Sequence, residues 1–252
     1  MGIDYVLFER LAELSTRFQP KGRTLMLGRH SFPIQTQFRF LYEDALKRNN
    51  LPGRRFDYLQ EDGYCENLME KLGFGKMETM DFSDYEGASI LHDLNKPVAK
   101  KLEKKFDFIF DGGTIEHVFN VPVALENVFR MLKPGGRFVS ANGHNGWSGH
   151  GIYQFNPELV WTFWGRTCNC TVHSCLGIKK IPLPEENRIE FADPALTGAR
   201  LRLKGKIPEG RVYLYYEVER TAKSAIGDDT LQSDYETKRQ SHKNAGKTRL
   251  DA

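Results

Sequence analysis

One strand, one helix and a second strand, joined by tight turns, constrain the fold of this 252-residue chain more than any other feature. The apolar run from Phe106 to Phe110 stops at Asp111–Gly112–Gly113, which predicts a strand buried on both faces that ends in a sharp turn. After Pro122, apolar residues recur at three- and four-residue spacing, which predicts a helix. Lys133 to Gly136 ends that helix, and Arg137 to Ala141 predicts the second strand.

Such a unit is the right-handed crossover of a parallel sheet. Ligands bind at the carboxyl ends of the strands in these sheets. The stretches Asp111 to Gly113 and Asn142 to Gly151, which follow the two predicted strands, are therefore the first places to look for chemistry.

The segments FDFIFDGGTIEHV and ALENVFRMLKPGGRFV resemble the fourth and fifth strands of class I S-adenosylmethionine-dependent methyltransferases. That family has an apolar strand ending in Asp, a Glu-His pair on the next helix, and Leu-Lys-Pro-Gly-Gly before the following strand. The resemblance covers about a third of the chain. It implies an α/β fold with a doubly wound, mostly parallel sheet and an antiparallel last strand, and S-adenosylmethionine as cofactor, with S-adenosylhomocysteine as its product.

The first motif of the family departs from the usual pattern. Thr24 to Gly28 predicts the first strand and its turn, but Met26 stands where the family has an acid. Of the usual spaced glycines only Gly28 remains, while His30 and Phe32 stand where glycines are expected. Glycines at these places let a backbone approach the methionine part of the cofactor.

The ends of the next strands supply further candidates. Asp81 follows the predicted second strand, where an acid accepts hydrogen bonds from ribose hydroxyls, and the resemblance implies an adenine contact at Asp93. For Asp81 the alternative is a solvated turn residue, and for Asp111 it is a cap on the following turn. The Glu116–His117 pair is interpreted mainly as packing, with His117 as a wall of the site. The predicted cofactor residues are Gly28, Arg29, Asp81, Phe82, Ser83, Asp93, Leu94, Asp111, Gly112, Gly113 and His117.

The predicted loop Asn142 to Gly151 holds four glycines and two histidines. Histidine can accept a proton near neutral pH, and glycine lets the backbone approach a ligand. We therefore expect acceptor binding and catalysis from His144, His150 and Tyr153, the alternative being a glycine loop with solvated histidines.

The remaining chain predicts one domain over residues 1–220, with insertions at about 51–73 and 181–210 and a polar tail over 221–252. The final antiparallel pair is expected at Thr167 to Ser174 and Val212 to Val218. Zinc is bound by cysteine and histidine, and both types occur close together at Cys168, Cys170, His173 and Cys175. A strand through this run would separate them between its two faces, so no metal is expected.

Composition limits the class of protein. No apolar run is long enough to span a membrane, no secretory signal is visible, and four cysteines without a leader suggest reduced thiols in the cytoplasm. A net charge of +3 is too mild to indicate nucleic-acid binding. Asp111–Gly112–Gly113–Thr114 also stands where nucleic-acid amino-methyltransferases of this fold have Asn/Asp-Pro-Pro-aromatic.

The function expected from the resemblance is methyl transfer from S-adenosylmethionine to a small polar acceptor, such as a sugar, a nucleotide sugar or a natural-product intermediate. Two alternatives stay open because the first motif is degenerate. One is a non-catalytic binding or scaffold subunit, and the other is an enzyme of this fold with non-methyl chemistry. The expected partner is the small acceptor, without nucleic acid or membrane, and a homo-oligomer is compatible with the sequence.

Overall fold

Eight strands form one sheet in the computed structural model, which describes residues 2–197 and 209–233. The strands are β1 Arg23–Leu27, β2 Met77–Asp81, β3 Ile90–Leu91, β4 Phe106–Asp111, β5 Leu132–Asn145, β6 Thr171–Lys179, β7 Arg188–Glu190 and β8 Val212–Glu219. Their order across the sheet is β3, β2, β1, β4, β5, β8, β6, β7.

Neighbouring strands from β3 through to β5 are all parallel. Strand β8 is antiparallel to both β5 and β6, and β7 is antiparallel to β6 at the edge. The predicted fold class, an α/β doubly wound and mostly parallel sheet with an antiparallel last strand, is confirmed.

The carboxyl ends of the central strands lie level with one another. Leu27 at the end of β1 pairs with Met80 on one side and Asp111 on the other, and Asp111 pairs with Ser140. Residues that follow β1, β2 and β4 are therefore presented at one edge of the sheet.

Helices cover both faces of the sheet. The α-helices are α1 Tyr5–Ser15, α2 Arg39–Arg48, α3 Glu66–Met69, α4 Val121–Met131, α5 Pro157–Leu159 and α6 Pro194–Thr197. Helix α3 continues as a π-helix over Glu70–Phe74, and α5 continues as a π-helix over Val160–Thr167. Short 3-10 helices span Thr36–Phe38, Arg55–Tyr58, Lys100–Leu102, Ile115–His117 and Pro184–Glu186.

Two hydrophobic cores result, because alternate strand residues face opposite sides of the sheet. Helices α1, α2 and α3 pack over one face, which includes Met26 and Phe108. Helices α4 and α5 pack over the other, which includes Leu27 and Ile109. The prediction that β4 is buried on both faces is therefore confirmed.

Two sequence predictions about strand bounds are wrong. Strand β5 continues past Ala141 to Asn145, because β8 pairs with it from Arg137 onward. The predicted loop therefore begins as a strand. Strand β6 begins only at Thr171, so Cys168 and Cys170 precede it, and the argument that placed them on one strand face does not hold.

The predicted division into one domain, two insertions and a tail stays a prediction. Residues 198–208 of the predicted insertion 181–210, and residues 234–252 of the predicted tail, lie outside the described residues. Within the described ranges, no helix is both long and apolar enough to cross a membrane.

Candidate functional site

A cavity of about 230 Å³ opens at the carboxyl ends of β2 and β3 and is closed by the segment that follows β4. Five of the predicted cofactor residues line it: Asp81, Phe82, Asp93, Leu94 and His117. The sequence argument missed five others, Met80, His92, Asn95, Thr114 and Val118. Of these, His92 and Asn95 lie within two residues of Asp93, so the sequence could have indicated them as neighbours of a strand end. Thr114 and Val118 follow β4, and only the folded chain brings them next to the ends of β2 and β3.

Asp81 has one carboxylate oxygen available to a ligand. Its Oδ1 accepts a hydrogen bond from the Phe82 amide at 2.6 Å. Within residues 2–197 and 209–233, no group donates to its Oδ2. Next to it, the Phe82 ring is 75% exposed although it lines the cavity. A carboxylate oxygen beside an uncovered aromatic ring can bind the hydroxyls and the flat base of a nucleoside.

Asp93 is more strongly engaged with its own turn. Its Oδ1 accepts hydrogen bonds from both the backbone and the side-chain amide of Asn95, and Lys96 lies 3.3 Å from Oδ2. The hydrogen bonds from Asn95 lower the pKa of Asp93, so it stays ionised at neutral pH. Its contribution to the cavity is a fixed negative charge at the exit of β3.

The turn after β1 makes its contacts within the protein. Gly28 adopts a φ of +70°, and a Cβ there would lie 2.5 Å from the Thr114 hydroxyl, so glycine is required. The guanidinium of Arg29 pairs with Asp62 and Glu66 and stacks over Tyr64. Gly28, Arg29 and the exposed Ser83 do not line the cavity with Asp81.

Asp111 is fully buried and is the centre of a hydrogen-bond network. Its Oδ1 accepts from the amides of Gly113 and Thr114, at 3.2 and 2.7 Å. Its Oδ2 accepts from the Ser140 hydroxyl and the Asn142 side chain, each at 2.9 Å. These contacts correspond to the alternative in which Asp111 caps the following turn, and Asp111, Gly112 and Gly113 do not line the cavity.

A cluster of Glu116, His117 and His150 lies against the cavity wall. Glu116 is 1% exposed, and its Oε2 accepts a hydrogen bond from Asn142. His150, which lies beyond β5, brings its Nε2 to 3.9 Å from Glu116 Oε1, and its ring contacts that of His117 with centroids 5.3 Å apart. The predicted wall residue His117 thus connects the cavity to this cluster.

Burial sets the charge state of this cluster. Burial, with the nearby Asp111 carboxylate, raises the pKa of Glu116 to about 8. Burial also lowers the pKa of both His117 and His150. At neutral pH both imidazoles are therefore neutral and keep a ring nitrogen with a free lone pair.

His144 and Tyr153 lie in other surroundings. His144 Nδ1 is 2.7 Å from the carbonyl oxygen of Phe155. Because a carbonyl only accepts, Nδ1 carries the proton and Nε2 keeps the lone pair. The Tyr153 hydroxyl donates to the carbonyl oxygen of Phe119 at 3.0 Å. The structure thus brings His150, but not His144, into contact with His117.

The cysteines in the structure are free and buried, three of them being Cys168, Cys170 and Cys175. Burial raises the pKa of Cys168 to about 12 and that of Cys170 to about 11. Since the thiolate is the reactive species, we expect native protein to react slowly with a disulfide reagent at about pH 7.5 and all thiols to react after denaturation. Fast labelling of the native protein, or stoichiometric zinc lost when these cysteines are replaced, would contradict this prediction.

Comparison with known proteins finds one family model and a number of solved structures. A family model described as a methyltransferase domain matches residues 34–146. No curated protein matches the sequence. Among solved structures, geranyl diphosphate methyltransferase in complex with S-adenosylmethionine is 12% identical, with a TM-score of 0.44, covering 86% of this chain and 85% of its own. MccD protein is 11% identical, with a TM-score of 0.42, and the match covers 85% of this chain and 96% of MccD. YcgJ protein from Bacillus subtilis is 10% identical, with a TM-score of 0.41, and the match covers 85% of this chain and 98% of YcgJ.

Proposed function

From the premise that this chain carries a class I methyltransferase domain, we propose that it transfers a methyl group from S-adenosylmethionine to a small polar acceptor. The observation that carries the proposal is the cavity at the ends of β2 and β3, which is lined by the Asp81 carboxylate and the Phe82 ring. It lies at the edge of the sheet where ligands of such folds bind.

The residues that line the cavity fit the adenosine part of the cofactor. The open Oδ2 of Asp81 suits a ribose hydroxyl and the Phe82 ring suits a face of the base, while Asp93 and Leu94 also line the cavity. The volume of about 230 Å³ lies below the range of roughly 300–1,000 Å³ that is usual for whole-ligand pockets. The cavity itself therefore suits the adenosine part, with His117 at the side that leads to the rest of the site.

When bound, S-adenosylmethionine supplies an electrophilic methyl carbon, so the protein has mainly to align the acceptor and remove its proton. We assign proton removal to one of two histidines, His144 near the end of β5 or His150 in the segment after it. His144 has the required tautomer, with a lone pair on Nε2 and the proton on Nδ1 held by Phe155. His150 adjoins the cavity through His117.

The surface near this cluster supports an acceptor that has an apolar part. The side chains of Phe119, Ile152 and Tyr153 are 73%, 56% and 36% exposed. They are connected to the cluster, because the amides of Ile152 and Tyr153 both donate to the carbonyl oxygen of Glu116. Among sugars, nucleotide sugars and natural-product intermediates, this favours the last as the small-molecule acceptor.

A second candidate is a non-catalytic member of the fold that binds a nucleoside or serves as a scaffold. The turn after β1 favours it, because the Thr114 hydroxyl bonds the carbonyl oxygen of Leu27 and His30 Nε2 accepts from the Gly112 amide. Polar groups of this turn are therefore partly used within the protein. Turnover with adenosylmethionine separates the two candidates, since a scaffold binds without releasing S-adenosylhomocysteine.

Replacing Asp81 by alanine is expected to weaken S-adenosylhomocysteine binding by about 1–3 kcal/mol, because hydrogen bonds to ribose hydroxyls are lost. Calorimetric titration measures the change. Asp84→Ala is the matched control, an exposed acid three residues further on that lies outside the cavity lining. Equal affinities of Asp81→Ala and Asp84→Ala would remove Asp81 from the cofactor site.

A further inference from the structure

Glu116, His117 and His150 form a group of metal-ligand type. Each offers one donor atom, and these atoms all lie within 4.8 Å of one another. Two imidazole nitrogens and one carboxylate oxygen are a donor set that binds divalent transition metals and leaves coordination positions open. The sequence pattern, which draws attention to Cys168 to Cys175, does not indicate this group, because His150 is 33 positions away from His117 in the chain.

The two buried donor atoms of the group are left without a hydrogen-bond partner. Glu116 Oε1 and His150 Nε2 both lack one among the described residues. They face each other at 3.9 Å, which is too far for a hydrogen bond. Because an unsatisfied buried polar atom costs free energy, two such atoms directed at the same space indicate a ligand between them.

The carboxylate is held in place for this role. Asn142 donates to Glu116 Oε2, and the same Asn142 side chain also donates to Asp111 at 2.9 Å. The second oxygen, Oε1, is thereby turned toward His150. An oriented carboxylate of this kind is typical of metal sites, where hydrogen bonds behind a ligand fix its direction.

We propose that Glu116, His117 and His150 bind one divalent transition-metal ion, with zinc as the reference ion. At zinc–nitrogen and zinc–oxygen distances of about 2.1 Å, donor atoms in a tetrahedral site lie about 3.4 Å apart. Binding therefore requires the widest donor–donor distance to shorten by up to about 1.4 Å. His150 lies between Gly149, where a Cβ would meet nothing within 4 Å, and Gly151, which packs against Glu116, so the shortening is assigned to rotation of the His150 side chain.

The position of this site gives the ion a role in the reaction, and this consequence rests on the proposed function. His117 lines the cofactor cavity, so the ion lies between that cavity and the segment after β5. A hydroxyl of the acceptor on an open coordination position would have its pKa lowered by the ion. Its proton would then pass to His144 or to water as the oxygen attacks the methyl carbon.

Zinc binding to untagged, chelator-treated protein tests the proposal by calorimetry, with no cofactor present. The expected result is one equivalent of Zn²⁺, with binding much tighter than that of Mg²⁺ because two of the ligands are nitrogens. Glu116→Gln and His150→Ala should each weaken zinc binding by at least about 100-fold. His173→Ala, which replaces a histidine on β6 outside the cluster, should leave it unchanged.

Each outcome decides the proposal. Absence of stoichiometric zinc binding to the wild type, or binding equal in wild type, Glu116→Gln and His150→Ala, would overturn it. Glu116→Gln preserves side-chain shape, so a melting curve like that of the wild type shows that lost binding is not lost folding. Titration of both variants and the wild type with S-adenosylhomocysteine separates the metal site from the proposed function. Variants that keep cofactor binding but lose zinc binding support the metal site. A wild type that binds zinc but not the cofactor contradicts the proposed function alone.

Discussion

His144→Ala should lower kcat by about 10²–10⁴-fold, the loss expected when a general base is removed. The reason is the tautomer fixed by Phe155, whose carbonyl oxygen lies 2.7 Å from Nδ1 and leaves Nε2 to accept the proton of the acceptor. Affinity for S-adenosylhomocysteine should stay nearly unchanged, because His144 does not line the cofactor cavity. Release of S-adenosylhomocysteine with saturating acceptor measures kcat.

The control for this experiment is His173→Ala, which replaces an exposed histidine on β6 that pairs with Glu219 at 2.9 Å. Strand β8 separates β6 from β5 in the sheet. It should retain the kcat of the wild type. Full turnover in His144→Ala would exclude His144 as the general base. Full turnover in both His144→Ala and His150→Ala would show that neither histidine transfers the proton, leaving alignment of the acceptor as the source of catalysis.

Asp111→Ala should lower the free energy of unfolding by more than about 3 kcal/mol. The substitution removes the acceptor for the amides of Gly113 and Thr114 and for the side chains of Ser140 and Asn142, all at a fully buried position. Each donor left unsatisfied costs about 1–3 kcal/mol, and only part of this is recovered by relaxation. Urea denaturation followed by circular dichroism measures the change.

Asp107→Ala on the same strand is the matched control. Asp107 is partly exposed and pairs with Lys133, a surface contact that contributes about 0–1 kcal/mol. A loss of stability for Asp111→Ala no larger than that for Asp107→Ala would show that the network around Asp111 does not hold the turn after β4. It would also reopen a direct role for this carboxylate in binding.

The sequence predicted the parallel part of the sheet because its strands carry local signals, whereas β7 lies in a stretch predicted as an insertion. Strand β4 is a short run of mostly apolar residues, and the helix that follows it, α4, has regular apolar spacing. The sequence placed the start of β5 at Arg137, whereas the strand begins at Leu132, directly after α4. The placement of Asp81 and Asp93 at one edge followed from strand direction alone, and both line the cavity. Local pattern and topology are sufficient when the feature lies at the end of a strand.

What the sequence could not indicate depends on contacts between distant segments. Two of the donors to Asp111, Ser140 and Asn142, lie on β5, and Arg29 has its acids at positions 62 and 66, so these contacts are not visible in the neighbouring residues. The extension of β5 to Asn145 depends on pairing with β8, about 70 residues later. The same limit hid the approach of His150 to Glu116, and the pair Glu116–His117 was therefore interpreted mainly as packing.

The central claim is that the cavity at the ends of β2 and β3 binds S-adenosylmethionine, and the melting temperature of the untagged protein with S-adenosylhomocysteine tests it most directly. A ligand at about 100 times its Kd adds about 2.7 kcal/mol to the folded state. For a chain of this size the melting temperature should rise by roughly 5–10 °C, with no rise for NAD at the same concentration. No rise with millimolar S-adenosylhomocysteine, or an equal rise with NAD, would contradict the account.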